Sequence, residues 1–369
     1  MASVNARPSL SVMFFSGSVP ADRTDRYRLV HDAAAVADRL GYEAIWLPER
    51  HFDVFGGLFP NPSVLAAALA GTTKRCHLRA GSVVAPLHDP IRIAEEWSVV
   101  DNLSGGGRIG LSIGSGWNTN DFVLAPDRYE TRVAHSRDSI DELRALWAGR
   151  RVARRNGSGR TVEVAIQPEP LSGELPLWMT ASGNPDTFTA AGRLGTNLLT
   201  HLLGQDLGEL ACKIKLYRDA RATAGHDPDS GRVTLMLHTL ATADNAHAWT
   251  AARAPLRSYL RSALELELRA SAGGRRVSGG RRIAVPALSE AVVEELLDER
   301  TRRFFDDASL LGAVPKCLAM LEAVAAAGVD EVACLIDFGP SRQLVLDSLN
   351  RLAPLLHPEV EGAVNVGTP

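Results

Sequence analysis

Five short segments of this chain carry residue types that bind a ligand or exchange a proton with one. Glu49-Arg50-His51 sets a carboxylate, a guanidinium and an imidazole side by side, with Pro48 before them and Phe52 after. Such a cluster can bind, orient or trade a proton with a ligand, and a Glu–Arg pair can equally brace a loop. Ala181-Ser182-Gly183-Asn184-Pro185-Asp186-Thr187 reads as the turn from a strand into a helix. Its small residues let backbone amides approach an anion, the helix start adds partial positive charge, and Ser182 and Thr187 add hydroxyl donors. That is a phosphate grip, unless Asn184 or Asp186 simply caps the turn. Gly114-Ser115-Gly116-Trp117-Asn118 combines close backbone approach with an aromatic surface, which suits a flat ring, or else Trp117 plugs a rim. His201 and His238 are the remaining candidates, each as well suited to a core hydrogen bond as to catalysis.

These segments are distant in sequence, so something must bring them together. Eight β-type runs, each feeding a helical run, tile the chain: Leu10–Phe15, Glu43–Leu47, Leu78–Val84, Arg108–Gly114, Leu177–Ala181, Asn197–Leu203, Val233–Thr239 and Val332–Phe338. Parallel strands with crossover helices point their carboxyl ends to one side, so the candidate residues would ring one cavity. The fold class expected is α/β, a (β/α)8 TIM barrel spanning residues 1–369 as one domain. A hairpin around Asn156-Gly157 follows the fourth strand, and a helical lid stands between the seventh and eighth, the insertions covering about residues 150–170 and 242–312. Within the lid, helices are expected over Ala246–Ala270 and Ser289–Phe305, around a mobile stretch Gly273–Arg282, with a crossover helix Val314–Ala327. Helices are also expected over Tyr27–Leu40, from Asp89-Pro90 to Leu103, and over Asp127–Trp147.

Composition narrows the partners. With 45% hydrophobic and 22% charged residues among 369, the chain has the balance of a globular protein with a large core. A net charge of −3 gives no ground for nucleic acid. No apolar run reaches membrane-spanning length, and the four scattered cysteines suit a reduced, cytoplasmic setting. No metal site is expected, because the histidines lack ligand spacing. Gly105, Gly107 and Gly110 satisfy GxGxxG, yet they end a helix and enter a strand, the reverse of a dinucleotide fingerprint. The basic residues Arg150, Arg151, Arg154, Arg155, Arg275, Arg276, Arg281 and Arg282 read as solvated surface, with docking of an acidic carrier as the lesser reading.

The segment Pro48-Glu49-Arg50-His51-Phe52, with Phe55-Gly56-Gly57 and Asn61-Pro62-Ser63, resembles the bacterial luciferase-like flavin monooxygenases. So do Gly81-Ser82-Val83-Val84-Ala85-Pro86-Leu87-His88-Asp89-Pro90 and the two glycine-rich turns at Gly114 and Ala181. Thr200–Gln205, Leu235–Thr239 and Cys334–Gly339 are similar to the branch found beside nonribosomal peptide and polyketide assembly lines. The likeness runs in order from about Leu10 to Leu356.

The resemblance implies a two-component monooxygenase in which reduced FMN is a cosubstrate, supplied by a separate flavin reductase. Dioxygen would be activated as a flavin C4a-hydroperoxide, and an amino-acyl, peptidyl or polyketide intermediate, free or carrier-bound, would be hydroxylated. Ser182, Gly183 and Thr187 would hold the phosphate. Ser82, Val83 and Val84, at a non-proline cis peptide, would back the ring. Glu49, Ser115, Trp117 and Asn118 would line the cofactor pocket, and Arg50, His51, His201 and His238 would form the catalytic side. A homodimer is implied as well. One position departs from the family: luciferases carry two adjacent histidines after the second strand, and here Arg50 takes the first place. Arginine stays protonated and is no ordinary base, so luciferase-type aldehyde oxidation is not implied. A cation there would instead stabilise a peroxide anion or a substrate carboxylate. Rival readings are a deazaflavin-dependent hydride-transfer oxidoreductase of the same fold and a non-catalytic partner or carrier-docking subunit.

Overall fold

A computed structural model describes residues 7–15, 25–273 and 290–356. The chain begins with β1 (Ser9–Met13), α1 (Arg28–Leu40), β2 (Ala44–Leu47), α2 (Pro62–Ala70), β3 (His77–Val84), α3 (Pro90–Ser104), β4 (Ile109–Gly114) and α4 (Arg132–Trp147). The hairpin β5 (Val152–Arg155) and β6 (Thr161–Val164) follows, and the alternation resumes with β7 (Leu177–Thr180), α5 (Pro185–Arg193), β8 (Asn197–His201), α6 (Leu207–Thr223) and β9 (Val233–Thr242). The chain then forms α7 (Asn245–Gly273), α8 (Glu290–Asp307), β10 (Ser309–Ala313), α9 (Val314–Ala326), β11 (Glu331–Leu335) and α10 (Arg342–Leu352). The sheet runs β9-β11-β1-β2-β3-β4-β7-β8, and β8 pairs with β9, closing an eight-stranded parallel barrel.

Local chemistry explains the helix starts. Asp89 accepts from the Ile91 amide at 2.9 Å and Pro90 opens α3, while Asn61 caps α2 and Asp206 with Glu209 forms a reciprocal capping box on α6. Three expectations needed correction. Residues 127–131 are not part of α4: the stretch after Asn118 forms short 3-10 turns, one opened by Pro126, and the α-helix starts at Arg132. Ser309–Ala313, to which the sequence pattern assigns no element, is a strand lying parallel to His238–Thr242 of β9. Its five residues, Ser-Leu-Leu-Gly-Ala, are too few and show no alternation, so no period could reveal it. β9 correspondingly continues to Thr242 instead of ending at Thr239. The Gly273–Arg282 stretch lies, from residue 274, outside the described residues. Among those that are described, no helix is long and apolar enough to cross a membrane.

Every barrel strand is buried on both faces, which is why the strands read as apolar runs. One face, with Leu10, Val12, Ile45, Leu47 and Leu78, packs against the helices. The other, with Met13, Trp46, Trp178, Met236 and Leu335, fills the barrel. At the barrel floor lies the fully buried Glu331. Its carboxylate accepts from Trp46 Nε1 at 3.0 Å, Arg79 Nη1 at 2.8 Å and the Ser11 hydroxyl, with Arg232 Nε 2.8 Å away. Arg79 is sandwiched between Trp46 and Trp178, its Cζ 5.2 and 4.7 Å from their ring centroids. Burial acts to raise the Glu331 carboxyl, but Arg79 and Arg232 outweigh it and hold the group below the ordinary glutamate value.

Removing this carboxylate while leaving the guanidinium of Arg79 buried is expected to cost about 3–5 kcal/mol. Urea denaturation of Glu331→Gln against the native chain at neutral pH measures it. Because the folded value is depressed, the contribution is complete above the ordinary value of 4.5 and is lost as pH falls through the lower folded value. The native chain should therefore lose stability on acidification more steeply than Glu331→Gln.

Candidate functional site

Counting in twos up each strand from the floor leads to one ring of residues at the carboxyl ends. Phe15 follows Met13, Arg50 continues the parity of Trp46, Ser182 that of Trp178, His201 that of Leu199, and His238 that of Met236. The sequence-derived candidates therefore meet at the barrel mouth. Arg50 is buried, with its Cζ 5.2 Å from the Phe15 and Phe55 rings and 5.7 Å from Trp117. Burial lowers its proton affinity, opposed by the charges of Asp121 and Asp53. Trp117 is 45% exposed, so it forms a wall of the mouth and does not plug it. Ser115 is half-buried beside it.

The expected non-proline cis peptide is present between Gly81 and Ser82. At the same place the β3–β4 register slips: Gly81 pairs Ser112, then Val83 pairs Ile113 and Val84 pairs Gly114. The extra residue re-aims everything after it. Val84 and Ser82 turn toward Gly114, where an added Cβ would sit 2.9 Å from Ser82 Oγ. Val83, expected to back a ring, is turned into the outer core against the helices instead.

Two further expectations change. Glu49 has the opposite parity to Arg50 and faces away from the mouth. Its Oε1 accepts from His51 Nε2 at 2.8 Å and His88 Nε2 at 2.6 Å, and its Oε2 accepts from the Val84 amide at 2.7 Å. Burial would raise this carboxyl, but the two histidines and the amide hold it below the ordinary value. Glu49 therefore orients its neighbours and presents no oxygen to a cofactor. Asn118 is also committed: it donates to Asp121 Oδ1 at 2.9 Å and accepts from the Asn120 amide. It braces the loop that carries Trp117.

His201 Nδ1 accepts from the Leu203 amide at 3.1 Å, which leaves the ring neutral with its proton on Nε2. Burial pushes its pKa down to about 4. His238 is buried in an aromatic box of Tyr259, Phe304 and Phe338, with Tyr259 4.4 Å away between centroids. Burial, then the nearby His201, pushes its pKa down to about 3. Both are neutral at ordinary pH and act as hydrogen-bonding groups, a poor match to the base role. Among the described residues His238 Nε2 has no partner. Tyr259 of α7 and Phe304 of α8 reach His238 from above, so the insertion covers this side of the mouth, as a lid would.

The residues present fit a phosphorylated flat ring. The Ser182–Asp186 turn is open: Ser182 is exposed, and nothing lies within 4 Å of a Cβ placed on Gly183. Asn184 caps α5 with Pro185 at its start, and Thr187 is half-buried in its first turn. The turn therefore offers hydroxyls and helix amides to an anion. Behind it Gln205 donates to the Ser182 carbonyl at 2.9 Å and the His201 carbonyl at 2.6 Å, tying two strand ends together. Gln205 and His88 were not singled out from sequence. Only their spatial partners mark them, and no period or spacing does. The basic hairpin is partly spoken for, since Arg154 pairs with Glu142 and Asp89.

A family profile described as luciferase-like monooxygenase matches residues 9–331. The chain belongs to that family. It is 26% identical over 329 residues to the oxygenase component of flavin-dependent trigonelline monooxygenase from Acinetobacter baylyi, covering 86% of this chain and 85% of the relative. It is 28% identical over 218 residues to limonene 1,2-monooxygenase from Rhodococcus erythropolis, covering 57% and 55%. It spans 61% of the length of the uncharacterized protein y4vJ of Sinorhizobium fredii, with 27% identity over 219 residues. Among solved structures, monooxygenase RslO1 from Streptomyces bottropensis superposes with a TM-score of 0.71 at 19% identity, over 94% of this chain and 98% of that one. That likeness shows the shared barrel.

Gly116 tests how tightly this luciferase-like mouth is built. It adopts φ +72°, and an added Cβ would lie 2.8 Å from Val84 Cγ1 and 2.9 Å from the Phe122 ring. Gly116→Ala should destabilise the chain by about 2–4 kcal/mol through left-handed strain and overpacking, measured as a lowered urea midpoint with unchanged slope.

Proposed function

We propose that this chain is the oxygenase component of a two-component monooxygenase that uses reduced FMN and dioxygen. What carries the reading is the open Ser182–Thr187 turn beside the Ser82–Gly114 shelf, a phosphate grip next to a flat surface at the barrel mouth. When bound, reduced FMN supplies the electrons that activate dioxygen, so that one oxygen atom enters the substrate and the other leaves as water. Ser182, Thr187 and the first amides of α5 bind the phosphate. Ser82, Val84, Gly114 and Trp117 face the ring. The guanidinium of Arg50 stabilises negative charge developing above it, which a histidine at that position would do only when protonated. His51 moves the proton, because His201 and His238 are held neutral by burial. The Nε2–H of His201 and the unpartnered Nε2 of His238 orient the substrate. Tyr259 and Phe304 exclude water from that side.

The substrate side is apolar. Exposed Phe52, Val54, Trp117, Val123 and Leu124 stand on the loops after β2 and β4. This supports an amino-acyl, peptidyl or polyketide intermediate, hydroxylated in a natural-product assembly line, with reduced flavin delivered by a separate reductase.

The decisive experiment incubates the chain with a flavin reductase, FMN and labelled dioxygen against acyl, aminoacyl and peptidyl thioesters. One labelled oxygen atom in a product is expected. Removing Ser182 and Thr187 hydroxyls tests the grip separately. Each hydrogen bond to a phosphate is worth about 1.5–3 kcal/mol, or about 10- to 150-fold in affinity. Ser182→Ala with Thr187→Ala should weaken FMN binding at least tenfold by titration. Tighter binding of a deazaflavin than of FMN, with no labelled product, would overturn the assignment in favour of hydride transfer.

A further inference from the structure

The buried carboxylate of Glu49 stands between two histidines from different loops. His51 follows Arg50 in the loop after β2, with its side chain 11% exposed and its ring 5.5 Å from that of Phe52. The side chain of His88 is 31% exposed and opens on a small cleft outside the barrel, lined by polar Asn61, Ser63, Arg92 and Glu96 and by apolar Ile93 and Trp97. Both imidazoles meet the same oxygen, Oε1, through Nε2, while the Val84 amide occupies Oε2. An ionised carboxylate accepts and never donates. Both histidines must therefore carry a proton on Nε2, and a neutral His51 then has its lone pair on Nδ1.

We propose that Glu49 and His88 are positioning residues that lock His51 as the Nε2–H tautomer, so that the proton acceptor His51 can offer a ligand is Nδ1. The arrangement follows the general logic of a carboxylate that holds a catalytic imidazole in one tautomer and orientation. His88 serves as the second anchor: without it Glu49 Oε1 would keep the bond from His51 alone and be held less firmly. The charged groups facing this array agree with it. His51 is felt by Asp121, which also feels Arg50 and Glu49. His88 is felt by Glu49, Glu96 and Arg128; burial acts to lower it, and the bond to Glu49 outweighs burial and raises it. The proposal rests on the oxygenase reading only for the use made of His51, since the tautomer belongs to the chain itself.

Long-range proton–nitrogen NMR on the nitrogen-labelled full chain, without flavin, reads the tautomers directly. Native His51 is expected as a single Nε2–H form. Glu49→Gln keeps a carbonyl oxygen for the Val84 amide but should release His51 into a mixture of tautomers. It should also lower the His88 titration by about one unit or more, the loss expected when an adjacent opposite charge is removed. His88→Leu should let the Nδ1–H form of His51 appear, and His88→Gln, which restores an N–H donor, should abolish it again. A native His51 protonated on Nδ1 overturns the proposal, as does a tautomer indifferent to Glu49→Gln. If Glu49→Gln does not fold, the native spectrum and the His88 pair still decide. FMN titration of the same samples separates the two readings: lost FMN binding in the native chain rejects the oxygenase, and a wrong tautomer with FMN bound rejects only the lock.

Discussion

Closure of the barrel rests on a charge that water never reaches. Glu331 opens β11, the strand that joins β9 to β1, and its side chain points into the floor. An isolated carboxylate there would be very costly, so its surroundings must supply donors. They come from β1 through Ser11, from β2 through Trp46, from β3 through Arg79 and from the residue before β9 through Arg232. One carboxylate therefore ties together segments at both ends of the chain. Arg79 in turn needs Trp46 and Trp178 around its guanidinium, and Trp178 donates to Thr234 at 3.1 Å. The floor thus sets which side chain of each strand faces inward, and the alternation carries that choice to the mouth.

The mouth inherits this register except where the β3 bulge interrupts it. Above the bulge, Val84 takes the inward place, and its freed amide turns to Glu49. Alternation separates two neighbouring residues of the segment after β2 by task. Arg50 stays inside among Phe15, Phe55 and Trp117, and Glu49 stays outside with His88. The β3 irregularity thus re-aims Val84 and turns its amide to the carboxylate that anchors His51. Gln205 does similar work across β7 and β8, so the phosphate-type turn and His201 are held at a fixed separation.

Much of this was legible in the residues alone, and the failures have a common form. Strand count, hairpin and lid follow from apolar runs and helical periods, which are local properties. The residues that meet at the mouth follow from parity and from the rule that parallel strands end on one side. The role of Glu49 did not follow, because it depends on a bulge in another strand that no pattern in Gly81-Ser82-Val83-Val84 announces. Asn118 was placed in the cofactor pocket by the family resemblance, but its side chain caps its own loop. β10 was missed since the five residues Ser-Leu-Leu-Gly-Ala between helices have no period to measure. His88 had no local signal at all: it lies one residue before a helix cap, and only its 2.6 Å contact with Glu49 gives it meaning.

Both ends of the barrel bury polar groups. At the floor Glu331 has several donors, while Nε of Arg79 and Nε of Arg232 have no hydrogen-bond partner among the described residues. At the mouth the structure leaves demand open. His238 Nε2 is buried among aromatic rings with no partner among the described residues, and His201 holds an Nε2–H beside it. Each unmatched polar atom in such a place costs about 1–3 kcal/mol. Unlike the two guanidinium nitrogens at the floor, His238 Nε2 lies where a ligand can relieve the deficit. This also accounts for Arg50. A histidine in its place would lose its charge as burial deepened, as His201 and His238 do, whereas a guanidinium keeps its charge among three rings. The departure from the family pattern at this position places a lasting cation at the mouth, near the carboxylates of Asp121 and Asp53.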